Sequence, residues 1–331
     1  MPRIICRGTG LEFGAAVVER DPGVGFLAKA LTMSITYRPG TPDDSYTVFS
    51  IFERTVYALA FQMGYVTAKE RDPESIQALW EARRSLFEHL ARTATHFWLA
   101  CQGEEIIGYA RSILRDGLLD LTEFFVLPDQ QSGGVGRELL QRVFTSVEAS
   151  HRAIIATTDV RALARYLKAG VYARFPIYNF SRPPRQMPLS GEIQAAPLTG
   201  HLEEIHTLNA LDRAVLGHSR APDHAYWMDE KRGFLFSREG QIIGYGYVHL
   251  DGGPFVLAQA QAFPAVLAFA EHVAGQVTDK FHLEVPLVNR QAVDWLLANG
   301  YQLSPFLSLF MNDSPWGRFE NFIFPSPPFS V

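Results

Sequence analysis

The chain has 331 residues, room for one large domain or two ordinary ones. Hydrophobic residues make up 47% and charged residues 20%, which supports a full core and excludes a disordered chain. With 30 Lys and Arg against 35 Asp and Glu, the net charge of −5 gives nucleic acid and anionic lipid no general attraction.

The two cysteines, Cys6 and Cys101, have neither metal-ligand spacing nor a disulfide framework, so no metal is expected and a cytoplasmic setting fits. The apolar runs are short and broken by Gly, Pro or charge, which predicts no membrane span. Residues 1–32 carry scattered charges and lack a signal-peptide core; they are expected to lie outside the fold, ahead of a domain start at Met33.

In chain order, residues 35–38 alternate as a short strand. A helix begins near Ser45, with Val48, Phe49, Phe52, Val56 and Leu59 on one stripe. A second helix opens at Asp72-Pro73 and carries Ile76, Leu79, Trp80, Phe87 and Leu90. Residues 96–101 and 106–114 read as a hairpin, and 121–127 as a third strand ending at Pro128. A helix over 137–148, a buried strand over 153–157 and a helix over 161–168 closed by Gly170 follow. The Pro- and Arg-containing stretch that begins at Ser181 reads as a linker over 181–196.

The same order then recurs: a helix over 202–211, a hairpin of 233–237 and 241–248, a helix over 265–275, a strand over 281–287, and a helix over 291–298 closed by Gly300. Ile106-Ile107-Gly108-Tyr109 parallels Ile242-Ile243-Gly244-Tyr245, and the segment ending at Gly170 parallels the one ending at Gly300. A duplicated α/β unit is the reading.

The segment Gln131-Ser132-Gly133-Gly134-Val135-Gly136-Arg137 joins a strand to a helix. Unpaired amides and the positive end of the helix dipole at such a junction form an anion site, and glycines let a phosphate approach. A tight turn uses glycine for geometry alone, so the loop by itself leaves both readings open. Neither the P-loop nor the dinucleotide G-x-G-x-x-G pattern is present.

That segment resembles the Gln/Arg-x-x-Gly-x-Gly/Ala motif of the GNAT-type N-acetyltransferase superfamily, and the resemblance extends to its flanks at Val126, Pro128, Leu139 and Leu140. Downstream, Asp159, Ala162, Tyr166, Gly170 and Val171 resemble the superfamily's Asn-x-x-Ala-x-x-x-Tyr-x-x-x-Gly-Phe segment, with Asp in place of Asn and Val in place of Phe. The resemblance implies an α/β (α+β) fold of two tandem lobes, each a mixed central sheet flanked by helices. Residues 33–180 would be the catalytic lobe and 197–331 a degenerate one.

It also implies acetyl-CoA as co-substrate. The backbone of Gln131, Ser132, Gly133, Gly134, Val135, Gly136 and Arg137 would hold the pyrophosphate, Phe125 and Val126 the pantetheine arm, and Asp159 a further cofactor contact. Tyr166 would be the general acid at the departing thiol, and Glu123 a candidate base for the amine. With no activated nucleophile in view, attack by a primary amine of a small molecule or peptide would be direct.

The second half lacks the glycine loop and has Leu296 at the place of Tyr166, so it is expected to shape the substrate cleft or the surface of a homodimer. A non-catalytic acyl-CoA-binding regulatory protein, and an acyl or aminoacyl transferase with a bulky substrate between the lobes, are the alternatives.

Overall fold

A computed structural model describes residues 34–68, 70–131 and 133–331. The expected extension at 1–32, and Ser132 in the glycine loop, lie outside the described residues.

Strand β1 (Ile35–Pro39) leads through a short turn into helix α1 (Ser45–Gln62). Asp44 ties that turn down by accepting from the Thr41 backbone at 2.9 Å. Helix α2 (Pro73–Thr93) begins where Asp72 accepts from the Ser75 amide at 2.8 Å, an N-cap that satisfies one of the helix's orphan donors. The predicted stripes of both helices are largely buried: Val48, Phe49 and Phe52 on α1, Trp80, Phe87 and Leu90 on α2.

Strands β2 (His96–Gln102) and β3 (Glu105–Arg115) form the expected hairpin. Strand β4 (Leu118–Val126) starts three residues before the predicted 121, because Asp116 and Gly117 both take positive φ and close a tight hairpin to β3. The helix expected over 137–148 is instead α3 (Val135–Leu140), which passes into a π turn over Gln141–Thr145. Strand β5 (His151–Ala156) and helix α4 (Val160–Lys168) follow as read.

Strand β6 (Tyr172–Arg182), which the pattern did not suggest, runs into the expected linker, and β7 (Gln194–Pro197) begins inside its other end. The irregular stretch is therefore 183–193.

The second half contributes α5 (Leu202–Leu216), α6 (Ala221–Glu230), β8 (Arg232–Arg238), β9 (Gln241–Val248) and β10 (Gly252–Leu257). It continues with α7 (Phe263–Ala274), β11 (Phe281–Pro286), α8 (Arg290–Ala298), β12 (Gln302–Asn312) and β13 (Phe322–Ile323). The mixed α/β class stands, but the two expected central sheets are one: β1-β2-β3-β4-β5-β12-β6-β11-β10-β9-β8-β7, with β13 on β10.

The junction is a strand exchange. β12, from the end of the chain, pairs with β5 of the first half, while β6 of the first half pairs with β11 of the second. The two exchanged strands also pair with each other. Both contain proline, which argues against a central strand when the sequence is read alone. Pro176 lies beyond the β11 ladder, which ends at Pro286↔Ile177. Pro305 sits where the β12–β6 register shifts between Leu303 and Leu307. Each proline thus occupies a position that asks for no ladder amide.

Among the described residues, the only parallel pairings in the sheet are β4 with β5 and β10 with β11. The first holds from Leu118↔His151 to Leu121↔Ile154 and then stops, so residues 122–126 diverge from β5 and leave a wedge. The second reaches one registered pair, Gly252↔Leu283. There β13 enters the gap, with Phe255↔Ile323 and Val256↔Phe322. Phe324 bridges to Glu284 on the other side. Phe322 and Phe324 are fully buried.

Helices from the two halves meet at a buried charge cluster. Asp223 of α6 accepts from Arg115 Nε at 2.9 Å and contacts His89 Nε2 of α2 at 2.9 Å, and Tyr226 stacks on His89. Burial alone would raise the Asp223 carboxyl, but these two partners outweigh it and hold the group at about 2. A depressed carboxyl stabilises the fold above its ordinary range near 4, and that contribution fades as pH falls toward 2. Asp223→Asn is therefore expected to cost about 3 kcal/mol at neutral pH. It should also flatten the acid limb of stability, as read by urea unfolding from pH 7 down to pH 3.

Candidate functional site

The wedge between β4 and β5 opens into a cavity of about 400 Å³. One wall is the free edge of β4, residues 122–126, and the facing wall is the end of β5 with the start of α4. Among the residues expected at the site, Glu123, Phe125, Val126, Gln131, Gly136, Asp159 and Tyr166 line this cavity. Gly133, Gly134, Val135 and Arg137 lie outside its wall, and Ser132 is outside the described residues.

The glycine loop is built as its composition requires. Gly134 has φ +85°, the left-handed region, and a Cβ there would meet nothing within 4 Å. The Gln131 side chain folds back to donate to the Val126 carbonyl at 3.0 Å, which pins the loop to the strand end. In α3 the first amide to find a backbone partner is that of Arg137, bonded to the Gly134 carbonyl at 3.0 Å. Among the described residues, the amides of Gly134, Val135 and Gly136 have no acceptor, the condition for an anion site. Val135 buries its side chain in the core, whereas Arg137 is exposed.

Gly136 faces Phe124, whose Cζ would lie 3.0 Å from an added Cβ, and the Arg165 guanidinium carbon lies 3.6 Å from the same point. Arg165 has no ion-pair partner among the described residues, which leaves a free cation beside the loop.

Tyr166 is buried against Phe124, with ring centroids 6.1 Å apart. Among the described residues its hydroxyl has no hydrogen-bond partner, and the residue lines the cavity. Burial, helped by the Asp159 charge, pushes its ionisation well above the ordinary value, so the hydroxyl keeps its proton at neutral pH. Asp159 caps α4 by accepting from the Arg161 amide at 2.8 Å and also pairs with the Arg161 side chain. Burial works to raise its carboxyl, but the Arg161 contacts prevail and hold it below the usual range.

Glu123 differs from its expected setting. It is almost wholly buried, accepts from the Tyr109 hydroxyl at 2.7 Å, and pairs with Arg111, which also donates to the Phe87 carbonyl. Both carboxylate oxygens are taken, so the geometry makes Glu123 a holder of β3 and α2 and does not fit the expected base. Elsewhere in the first half, Asp116 joins Arg213 and Ser219, and Asp120 accepts from the Val331 amide.

The far end of the cavity is made by groups that no motif marked: Glu53 paired with Arg71, Arg83 of α2, Asn179 of β6, Glu284 of β11 and Phe329. The 3.6-residue period of α2 and the alternation of β11 place Arg83 and Glu284 on definite faces. Nothing local says that the strand exchange brings those faces together.

In the second half the equivalent wedge holds β13. Asn321 donates to the Leu257 carbonyl at 2.6 Å and Asn289 to the Phe322 carbonyl at 3.1 Å, so the chain's own backbone and amides fill that gap. Leu296 stands fully buried where α4 has Tyr166. Among the described residues, no helix is long and apolar enough to cross a membrane, and no cluster of His, Cys, Asp and Glu could hold a metal ion.

Residues 67–174 match the family model described as an acetyltransferase (GNAT) domain. No curated protein matches the chain by sequence. Among solved structures, a putative acetyltransferase from Pyrococcus horikoshii is similar at 15% identity and a TM-score of 0.66, over 92% of this chain and 96% of that one. A GCN5-related N-acetyltransferase from Sphaerobacter thermophilus shares 16% identity at a TM-score of 0.50, over 84% and 95% of the two chains. A tandem GNAT protein from the clavulanic acid biosynthesis pathway, solved without AcCoA, shares 11% at 0.54, over 85% and 99%. At such identities the likeness is one of fold.

Gly136→Val would drive a methyl group into the Phe124 ring at the loop's inner face. It is expected to cost about 1–3 kcal/mol, measured by chemical denaturation.

Proposed function

Starting from a chain that carries a GNAT acetyltransferase domain within a tandem fold, we propose that it transfers an acetyl group from acetyl-CoA to a primary amine of a small molecule or peptide. The observation that carries this reading is the open wedge beside β4, with the amides of residues 134–136, which lack an acceptor among the described residues, near one end and the Tyr166 side chain in its lining. Residues 33–180 form the working lobe and 197–331 a degenerate one, in a cytoplasmic protein. A homodimer is part of the proposal.

The residues fit the co-substrate. The loop amides and Arg165 supply positive potential for a pyrophosphate. The free edge of β4 offers backbone groups at Phe125 and Val126 to an extended amide-bearing arm, as one more strand would use them. The β13 segment denies the second lobe the same edge. Acetyl-CoA supplies a thioester carbonyl as the electrophile, and the protein supplies proximity and proton handling.

Tyr166 is the proton donor to sulfur. Burial keeps the hydroxyl protonated at neutral pH, so it stands as a hydrogen-bond donor for the departing sulfur. Asp159, occupied by Arg161, orients α4, and Glu123 fixes the strand that carries Phe125. Neither is the base.

Calorimetric titration with acetyl-CoA should show binding to the parent protein and its loss in Gly134→Glu, which places a carboxylate at the loop. A well-folded parent that does not bind acetyl-CoA would remove the proposal. In a coupled thiol-release assay, Tyr166→Phe is expected to lower kcat by about 10²-fold or more while leaving acetyl-CoA affinity unchanged.

A further inference from the structure

The charged side chains around the cavity are mostly matched. Glu53 pairs with Arg71, Glu123 with Arg111, and Asp159 with Arg161. Among the described residues, three lining groups have no ion-pair partner: Arg165 at the loop end, and Arg83 and Glu284 at the other. The Arg83 guanidinium lies over the Phe52 ring, 5.6 Å from its centroid, and makes no hydrogen bond among the described residues. Glu284 accepts from Asn179 Nδ2 at 2.9 Å and is half-buried in the cavity lining.

Leaving a cation and an anion partly desolvated in one cavity, each without an ion-pair contact among the described residues, is costly unless a ligand completes both. A ligand that does so bears a positive and a negative group. Resting on the acetyltransferase reading above, we propose that the acceptor is an amine that also carries a carboxylate or phosphate. Arg83 binds its anion, and Glu284, from the degenerate lobe, receives the proton its nitrogen sheds.

The chemistry balances. The ammonium gives a proton to the Glu284 carboxylate, and the free nitrogen pair attacks the thioester carbonyl carbon. The C–S bond breaks with its electron pair on sulfur, sulfur takes the Tyr166 proton, and the acylated nitrogen loses its second proton to solvent. The products are the N-acetylated acceptor and the free thiol. Tyr166 and Glu284 return to their starting forms by exchange with solvent.

The setting of Glu284 suits this role. Burial pushes its carboxyl up to about 7, with the Asp251 charge acting in the same direction and the Asn179 and Ser326 hydrogen bonds and the Arg83 charge against it. Asp251 is itself held by Lys231 and lies 3.9 Å from His282, and Glu53 with Arg71 flanks Arg83 from α1.

The test sets alkylamines beside ω-amino carboxylates and aminoalkyl phosphates of the same chain length, as acceptors for full-length protein with acetyl-CoA. Thiol release is followed for the parent, Arg83→Met, Arg83→Lys and Glu284→Gln. The parent should favour one anionic series over the neutral amines by about tenfold or more in kcat/KM, and which series is preferred distinguishes carboxylate from phosphate. Arg83→Met, which keeps the aliphatic stem and breaks no ion pair, should abolish that preference through KM, and Arg83→Lys should restore part of it. Glu284→Gln should lower kcat and remove the rise of rate with pH through about 7.

Acetyl-CoA binding without preferential acetylation of any anionic amine would overturn the proposal, as would an Arg83→Met variant that keeps the preference or a Glu284→Gln variant with the parent's pH profile. Absent acetyl-CoA binding to the parent would instead defeat the acetyltransferase reading itself.

Discussion

Everything at the site depends on how β4 and β5 part company. Parallel neighbours that pair for four residues and then diverge leave a strand edge without a ladder, and an unpaired edge inside a protein must be filled by water, by chain or by ligand. In the first half that edge faces an open cavity. In the second half the corresponding pair, β10 and β11, is filled by β13, and the amides of Asn289 and Asn321 satisfy backbone carbonyls around it. One geometric device has been kept open for use and closed for stability within a single chain.

The closing segment has a second consequence. Phe322 and Phe324 fill the wedge of the second lobe, and the chain then turns back so that Phe329 packs on Phe52 and Phe87 of the first. The aromatic tail looks in the sequence like packing material spaced by prolines, and packing is what it does. Its place follows from pairing partners far away in sequence, which no local pattern records.

The same divide separates what was legible from what was not. The hairpin β2–β3, the helices α1, α2 and α4, and the glycine loop are local, and their caps, periods and turn residues name them. β6 and β12 were hidden because Pro176 and Pro305 read as breaks when no partner is known, although each proline falls where the ladder asks for no amide. At the site, Tyr166 and the loop carried motifs. Glu123 was visible as a carboxylate near the cavity, but its role hinged on Arg111 and Tyr109 from the neighbouring strand, which occupy both oxygens. Arg83 and Glu284 gave no sign at all, since a charge on a helix or strand is usually a solvated one.

The exchange of β6 and β12 also explains why a lobe without its own cleft would be retained. The edge of β5 is covered by β12, so the first lobe's sheet is incomplete without the second half of the chain. Asn179, on the strand given in return, reaches Glu284 on β11, and both line the first lobe's cavity. A second unit without the glycine loop or the tyrosine therefore still supplies a sheet edge and part of the cavity wall. Under that constraint, substitutions in the second half bear on the first half's cavity through shared strands, although only one of the two wedges is open.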